Sequence, residues 1–478
     1  MKILLISPPI WNITGESMST SPPLGLMYLA AILELKKYEV LVLDADAENL
    51  KYTWDDLEAR IRKEKPDIVG LTATSLTLPA LFRSAEIIKK VDPGIVIVAG
   101  GYGPTLEAEK ILGEEKNIDI IMDGESEATI VELVKVIENN ESLDQVQGIL
   151  YRERGEVRKT EMREQINDLD SLPMPAYHLL EPHYSTYTGV HGELLKMPNA
   201  VMLGSRGCPH RCIFCSNKMI KVRFRSPSNI CDELEYLRDK LGFKSAQLYD
   251  NEFVGMTANQ NQWVGDLCDE IIKRGLDNME FLVQGRCNKF IDLEILKKMR
   301  RAGFKWVWWG VESGSQKVLD AIKKDIKVDD IKRTFKLAKE AGLKSMSFIM
   351  VGLPKETRED VAMTAKLLRE IKPELVRIHI TTPLPGSELY DTWRREGKIE
   401  EFDLKKYDTR HFVVHHTDEL TSKEIMELYQ MLAFRFEHGR LYFIKVFFKS
   451  FLSMRGLKKI PGRIKKIFKY SFGWLKLK

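Results

Sequence analysis

The chain of 478 residues is long enough for two or three domains, and its 44% hydrophobic and 30% charged residues are those of an ordinary soluble protein. Six cysteines at this length exclude a disulfide scaffold, and no uninterrupted apolar run is long enough to span a bilayer. The net charge of +4 is uneven: from Arg435 to Lys478 there are thirteen Lys or Arg and one acid, Glu437, so this end carries +12 and the rest −8.

The start, MKILLISPPIWN, lacks a long apolar core and a small-residue cleavage site, so no signal peptide is expected and the location is read as cytoplasmic. Short Ile- and Val-rich runs predict strands at 2–7, 39–45, 67–72, 94–100 and 119–124, with helical patterns between them. This alternation predicts an α/β domain over residues 1–142, a parallel sheet of Rossmann-like, flavodoxin type with helices on both faces. Ligands of such sheets sit at the carboxyl ends of the strands. The loops there contain Pro9, then Thr72 and Thr74, then Gly100 and Gly101, then Gly124 and Glu125.

Residues 143–197 read as a linker, with a hairpin turning at Gly155 and a Pro-rich, poorly periodic stretch, LDSLPMPAYHLLEPHY. Alternation resumes over 198–400. Strands are expected at 200–205, 245–250, 279–284, 305–311, 345–351 and 375–380, each followed by a helix, the fourth helical region being broken near Asp325. Six β/α units are fewer than the eight of a closed barrel, so a partial (β/α)6 TIM barrel is expected, with the loops after its strands gathered at one face. Residues 401–478 form a helical C-terminal extension with a basic amphipathic tail.

The first of those loops is RGCPHRCIFCSN, which places Cys208, Cys212 and Cys215 within eight positions. Thiolates so clustered are metal ligands rather than disulfide partners. Structural zinc asks for four protein ligands, and His210 would have to fold back sharply to be the fourth. A [4Fe–4S] cluster on three cysteines leaves one iron open to a small molecule. Spacing alone leaves both metals open. Cys231, Cys268 and Cys287 read as small buried hydrophobes, Cys287 being nearest the expected barrel mouth.

The stretch Cys208-x3-Cys212-Ile213-Phe214-Cys215, with an aromatic before the last cysteine, resembles the signature of radical S-adenosylmethionine enzymes. The resemblance implies a cluster on these three cysteines and an open iron that chelates the methionine part of S-adenosylmethionine. Electron transfer then yields a 5′-deoxyadenosyl radical. It also implies that Phe214, Asp250 in YDNEF, Arg286 in QGRCN, Glu312 and Ser313 in WGVESGS, and Gly352 in MVGLPKET bind that molecule. Turn chemistry accounts for any one of these segments, but not for a succession at consecutive strand ends.

Over most of residues 1–400 the chain resembles the cobalamin-binding branch of that family. The pieces are PPLGLMYLAAIL (22–33), Thr72 and Thr74, GGYGPT (100–105) and DGESEAT (123–129). The resemblance implies that Pro9, Thr72, Thr74, Gly100, Gly101, Gly124 and Glu125 surround the corrinoid; a flavodoxin-like domain with another ligand fits the loop glycines as well. Two departures stand out. The D-x-H-x-x-G motif is missing, and Gly103 occupies a position where the family often has histidine.

The implied activity is methylation of an unactivated carbon in a small hydrophobic substrate (lipid, isoprenoid or tetrapyrrole), fed by an external electron donor such as ferredoxin or flavodoxin. The alternatives are an oxidative cyclase of the anaerobic magnesium-protoporphyrin monomethyl ester type and a non-catalytic zinc- or corrinoid-carrying protein. In the tail, LYFIKVFFKSFLSM and the lysine-rich stretch after it fit peripheral contact with the inner face of an anionic membrane. A helix packed on the barrel with a solvated basic end fits equally. No nucleic acid is expected, because no stacking or groove-reading motif is visible.

Overall fold

The computed structural model describes residues 1–14, 21–48, 50–187, 194–217 and 221–437. The basic amphipathic tail expected at the C-terminus lies outside the described residues from 438 onward. The chain divides into two compact units. The first holds Met1–Arg206, Val222–Tyr249 and Arg274–Glu280; the second holds Gly207–Lys221, Asp250–Lys273 and the residues from Phe281 onward.

The core of the first unit is a sheet of β1 (Lys2–Ser7), β2 (Glu39–Asp44), β3 (Ile68–Thr72), β4 (Val96–Gly100) and β5 (Ile120–Met122), all parallel. Their order, β5-β4-β3-β1-β2, is the flavodoxin order. Ile3, Leu4, Leu5 and Ile6 are all buried, which a strand achieves only when both sheet faces are covered. The helices between strands begin and end on local signals. The helix Trp54–Glu64 opens on a capping box between Thr53 and Asp56, buries Leu57 and Ile61 one turn apart, and stops at Lys65 in the left-handed region.

Three further strands widen this sheet. The hairpin of β6 (Ile149–Glu153) and β7 (Glu156–Lys159) turns at Gly155, φ +87°, and β6 pairs antiparallel with β5. At the opposite margin β8 (Leu180–Glu181) pairs parallel with β2. The stretch expected to separate two domains thus supplies both margins of the first sheet. The same unit contains β9 (Asn199–Met202) and the two-residue antiparallel pair β10 (Ser205–Arg206) and β11 (Arg223–Phe224). In it, too, β12 (Ser245–Leu248) runs parallel to β9.

In the second unit β13 (Glu280–Arg286, from Phe281 on), β14 (Phe304–Glu312), β15 (Lys344–Val351) and β16 (Leu375–Ile380) pair in parallel, each with the next in chain order. Helices follow at Leu293–Arg301, Gln316–Ala321, Val328–Glu340, Arg358–Ile371 and Glu388–Arg395. The break expected near Asp325 falls between the second and third of these, where Lys323 and Asp325 both stand at φ 52°. In β16 the half-buried Leu375, Arg377 and His379 alternate with the buried Val376, Ile378 and Ile380. One face of this sheet is therefore packed and the other partly open. A last helix, Ser422–Leu432, opens on a capping box of Thr421 and Glu424. Among the described residues no helix is long and apolar enough to cross a membrane.

Candidate functional site

The three cysteines lie on the segment Gly207–Lys221 of the second unit. Local bonds shape it: Cys215 N donates to Cys212 O (3.0 Å), closing a turn. Buried Ile213 anchors it, its N–H donating to Ile322 O (3.2 Å) and its carbonyl accepting from Leu389 N (2.8 Å). Ser216 Oγ adds a bond to Pro385 O (3.1 Å). The loop is thus held by the end of one helix and the start of another. All three thiols are free; Cys208 and Cys212 are half-buried and Cys215 is exposed. Burial pushes the Cys208 thiol up to about 11, so a metal cation is what would keep it ionised. Cys231, Cys268 and Cys287 are fully buried, as small apolar fillers are.

Around this loop the second unit assembles a set of buried charges. Glu252 Oε2 lies 3.9 Å from Cys208 Sγ and 3.3 Å from His210 Nε2, and its other oxygen has no hydrogen-bond partner among the described residues. Arg286, at the end of β13, is buried, and its Nε and Nη2 likewise lack partners. A buried guanidinium with two unsatisfied N–H groups is a seat for a carboxylate or another planar anion. Lys324 Nζ bonds Glu312 Oε1 at 2.7 Å and stands 5.9 Å from the Phe214 ring centroid. Glu312 is held at φ +62°, unusual for a side-chain-bearing residue and a mark of a constrained site. A Cβ at Gly310 would meet Lys324 Nζ at 2.7 Å and Glu312 Oε1 at 2.9 Å, so the pair occupies the space that glycine leaves.

Phe214, Arg286 and Glu312 thus share the cysteine loop's surroundings. Asp250 is fully buried in the second unit. It is Glu252, two residues on, whose carboxylate reaches Cys208. Ser313 is committed locally, its Oγ 3.3 Å from Thr364 Oγ1 and accepting from Ser315 N at 3.2 Å. Gly352, φ +85°, begins the loop after β15. Glu252 and Lys324 were not singled out in the sequence. The second acid of YDNEF is a visible signal for Glu252, whereas nothing local marks Lys324.

In the first unit Pro9, Thr72, Gly100 and Gly124 lie at or just past the carboxyl ends of β1, β3, β4 and β5, at one edge of the parallel sheet. The loops after β3 and β4 interlock. Gly103 N donates to Ala73 O (2.9 Å), and a Cβ at Gly101, φ +90°, would meet Ala73 O and Thr72 Oγ1, both at 2.8 Å. A side chain at Gly103 would meet Thr74 backbone at 2.6 Å, which explains the absence of a histidine there. Thr74 is exposed, its N–H accepted by Thr77 Oγ1 (2.9 Å). At Gly124, φ +92°, a Cβ would meet nothing, so that loop is open.

Glu125 is engaged within the unit: it accepts from Arg206 Nη1 (3.1 Å), Arg223 Nη1 (2.7 Å) and Ile166 N (2.8 Å), while Arg206 Nη2 also bonds Glu127 (2.5 Å). Burial alone would raise the Glu125 carboxyl, but Arg223, Ile166 N–H and Arg206 outweigh it and hold the group below its ordinary value. Glu125→Ala would leave the buried Arg223 and the half-buried Arg206 each short of a partner. It is expected to cost about 3 kcal/mol, read as a lower melting temperature, with Glu125→Gln losing less.

Comparison with known proteins places these features. Residues 202–368 match the radical SAM superfamily and residues 11–134 match the B12 binding domain. An uncharacterized methyltransferase from Pyrococcus horikoshii is 32% identical over 436 residues, 90% of this chain and 92% of that protein. The anaerobic magnesium-protoporphyrin IX monomethyl ester cyclase of Rubrivivax gelatinosus is 31% identical over 415 residues, 85% of this chain and 72% of its own. The fold is that of the cobalamin-dependent S-adenosylmethionine radical enzyme OxsB, with a TM-score of 0.74 at 18% identity, over 97% of this chain and 70% of that one. The chain belongs to the cobalamin-binding radical S-adenosylmethionine enzymes. Its cofactors are a [4Fe–4S] cluster, S-adenosylmethionine and cobalamin, and it requires a substrate and an electron donor.

Proposed function

We propose that the enzyme methylates an unactivated carbon of a hydrophobic substrate. When bound, the cluster with S-adenosylmethionine would supply removal of a hydrogen atom from the substrate, and the corrinoid would supply the methyl group that takes its place. Cys208, Cys212 and Cys215 would hold the cluster. Arg286 would receive a carboxylate on its two free N–H groups, and the Lys324–Glu312 pair, with Phe214, would line the same pocket. Asp250, Ser313 and the loop at Gly352 would complete the S-adenosylmethionine site, with Gly352 beside adenine. Pro9, Thr72, Thr74, Gly100, Gly101 and Gly124 would receive the corrinoid, with Glu125 fixing the last loop through its arginines.

The observation that carries the reading is the triple-thiol loop beside a buried guanidinium, two of whose nitrogens lack partners among the described residues. The hydrophobic substrate is supported by the open sheet face of the second unit. There Gly310, Phe348 and Arg377 share one cross-strand row and Met350 and His379 the next, all partly exposed. Phe348 lies 5.9 Å from both the Trp308 and the His379 rings, a cluster of rings suited to an unsaturated or ring-bearing substrate. The names of the relatives, a methyltransferase and a tetrapyrrole cyclase, point the same way. The donor would be a ferredoxin or flavodoxin, and the basic tail would bring the enzyme to the inner face of a membrane.

Anaerobic reconstitution followed by product mass spectrometry tests the reaction. A gain of one CH2 unit per turnover is expected. A product that loses hydrogen and gains no carbon would transfer the enzyme to the oxidative, cyclase-like side of the family. Zinc without acid-labile sulfide would end the reading.

A further inference from the structure

The loop after β15 is gripped by a histidine from beyond the strand–helix repeats. His415 is fully buried and lies on an extended segment bridged antiparallel to Ile399. Its ring stacks on Trp393, from the helix Glu388–Arg395, at 4.5 Å and 21°. Nε2 lies 3.0 Å from Gly352 O. A carbonyl only accepts, so Nε2 carries the hydrogen and donates it. Burial keeps the ring neutral, drawing it down to about 4, and Nδ1 has no partner among the described residues.

The other side of Gly352 is held as well. Its N–H donates to Glu356 Oε2 at 2.7 Å, and Leu353 N donates to the same oxygen at 3.3 Å. Gly352 stands at φ +85°, where a Cβ would meet Ile425 Cγ2 at 2.8 Å and His415 Nε2 at 3.1 Å. One residue in the left-handed region is therefore clamped at N–H by its own loop and at C=O by the C-terminal segment. Neither His415 nor Trp393 touches the cysteine loop in any described contact.

We propose that His415 is a positioning residue for the nucleoside of S-adenosylmethionine: by holding the Gly352 carbonyl it fixes the loop on which the adenine rests. The proposal rests on the placement of adenine beside Gly352 given above. His415 sets where the backbone stands when the ligand arrives and spares the ligand the cost of ordering the loop. It does not act on the methionine end, which the cluster iron and Arg286 would receive.

The test is equilibrium binding of S-adenosylhomocysteine and of methionine to the full-length, cluster-loaded protein by calorimetry, with iron and sulfide measured in every sample. His415→Phe keeps a ring against Trp393 and removes the donor. It is expected to weaken S-adenosylhomocysteine about five- to tenfold, the worth of one lost hydrogen bond, and to leave methionine unchanged. His415→Gln, with an amide N–H for the same carbonyl, is expected to recover most of the loss. Should His415→Phe not fold, His415→Leu carries the same comparison.

Gly352→Ala examines the placement itself. If it binds both probes as the wild type does, adenine does not rest on this loop and the proposal falls with that reading. If Gly352→Ala weakens S-adenosylhomocysteine and the histidine variants do not, the proposal alone fails. Loss of iron from the histidine variants, or equal weakening of both probes, assigns a structural role only and also overturns it.

Discussion

Cys212→Ala is expected to leave the purified protein without cluster iron, acid-labile sulfide or S-adenosylmethionine cleavage, each at background. On the proposed assignment Cys208, Cys212 and Cys215 would make the whole ligand set in this loop, so one deletion would leave two corners of a cubane without protein support. The loop should keep its course, because Ile213 is fixed to Ile322 O and by Leu389 N independently of the thiols. Cys231→Ala provides the contrast. It removes a small buried filler and is expected to lower stability by about 1 kcal/mol while retaining iron. Iron and sulfide analysis with the visible absorption spectrum reads both. A Cys212→Ala protein that keeps its full iron complement would show that this loop does not carry the cluster.

The second large effect concerns Lys324 and Glu312. Their side chains are 10% and 9% exposed, and their charges meet at 2.7 Å. Lys324→Met strands the carboxylate and Glu312→Gln strands the ammonium; each is expected to cost about 3–5 kcal/mol. The double variant, with both charges gone, is expected to recover much of that loss, and the shortfall from additivity measures the coupling. Burial alone would lower the Lys324 ammonium, but Glu312 outweighs it and holds the group above its ordinary value. The lysine's contribution is therefore complete below the unfolded lysine value of about 10.4 and is lost as pH rises through the folded one. Denaturant titrations of the four proteins at neutral pH and near pH 10 check both statements. Single variants as stable as the wild type would show that solvent, and not the partner, satisfies each charge.

Much of this is legible in the sequence. Alternating Ile/Val runs and amphipathic stretches place strands and helices closely because a parallel sheet covered on both faces imposes that rhythm residue by residue. The break at Asp325 was visible because the periodicity lapses there. The cysteine spacing was the clearest signal, since short-range chemistry is written contiguously. Long-range pairings were not visible. The sequence marks Glu125 only as an acid of an expected corrinoid loop, and only the fold reveals Arg206 and Arg223, roughly eighty and a hundred residues on, as its partners. His415 lies in a weakly periodic stretch, where nothing announces that it will meet a glycine carbonyl 63 positions earlier. The Pro-rich stretch before β9 reads as a boundary because β8 is only two residues long.

Those added strands bear on how copies of this chain treat one another. One margin of the first sheet ends in β7, whose Glu156, Arg158 and Lys159 are exposed, with Arg158 tied to Glu153 and Glu156 across the turn. The other ends in the two residues of β8, with Pro182 directly after them. A charged rim and a stub followed by proline both make poor templates for a visiting β-strand. A crowded population of these molecules is thereby discouraged from zipping together along the margins of this sheet.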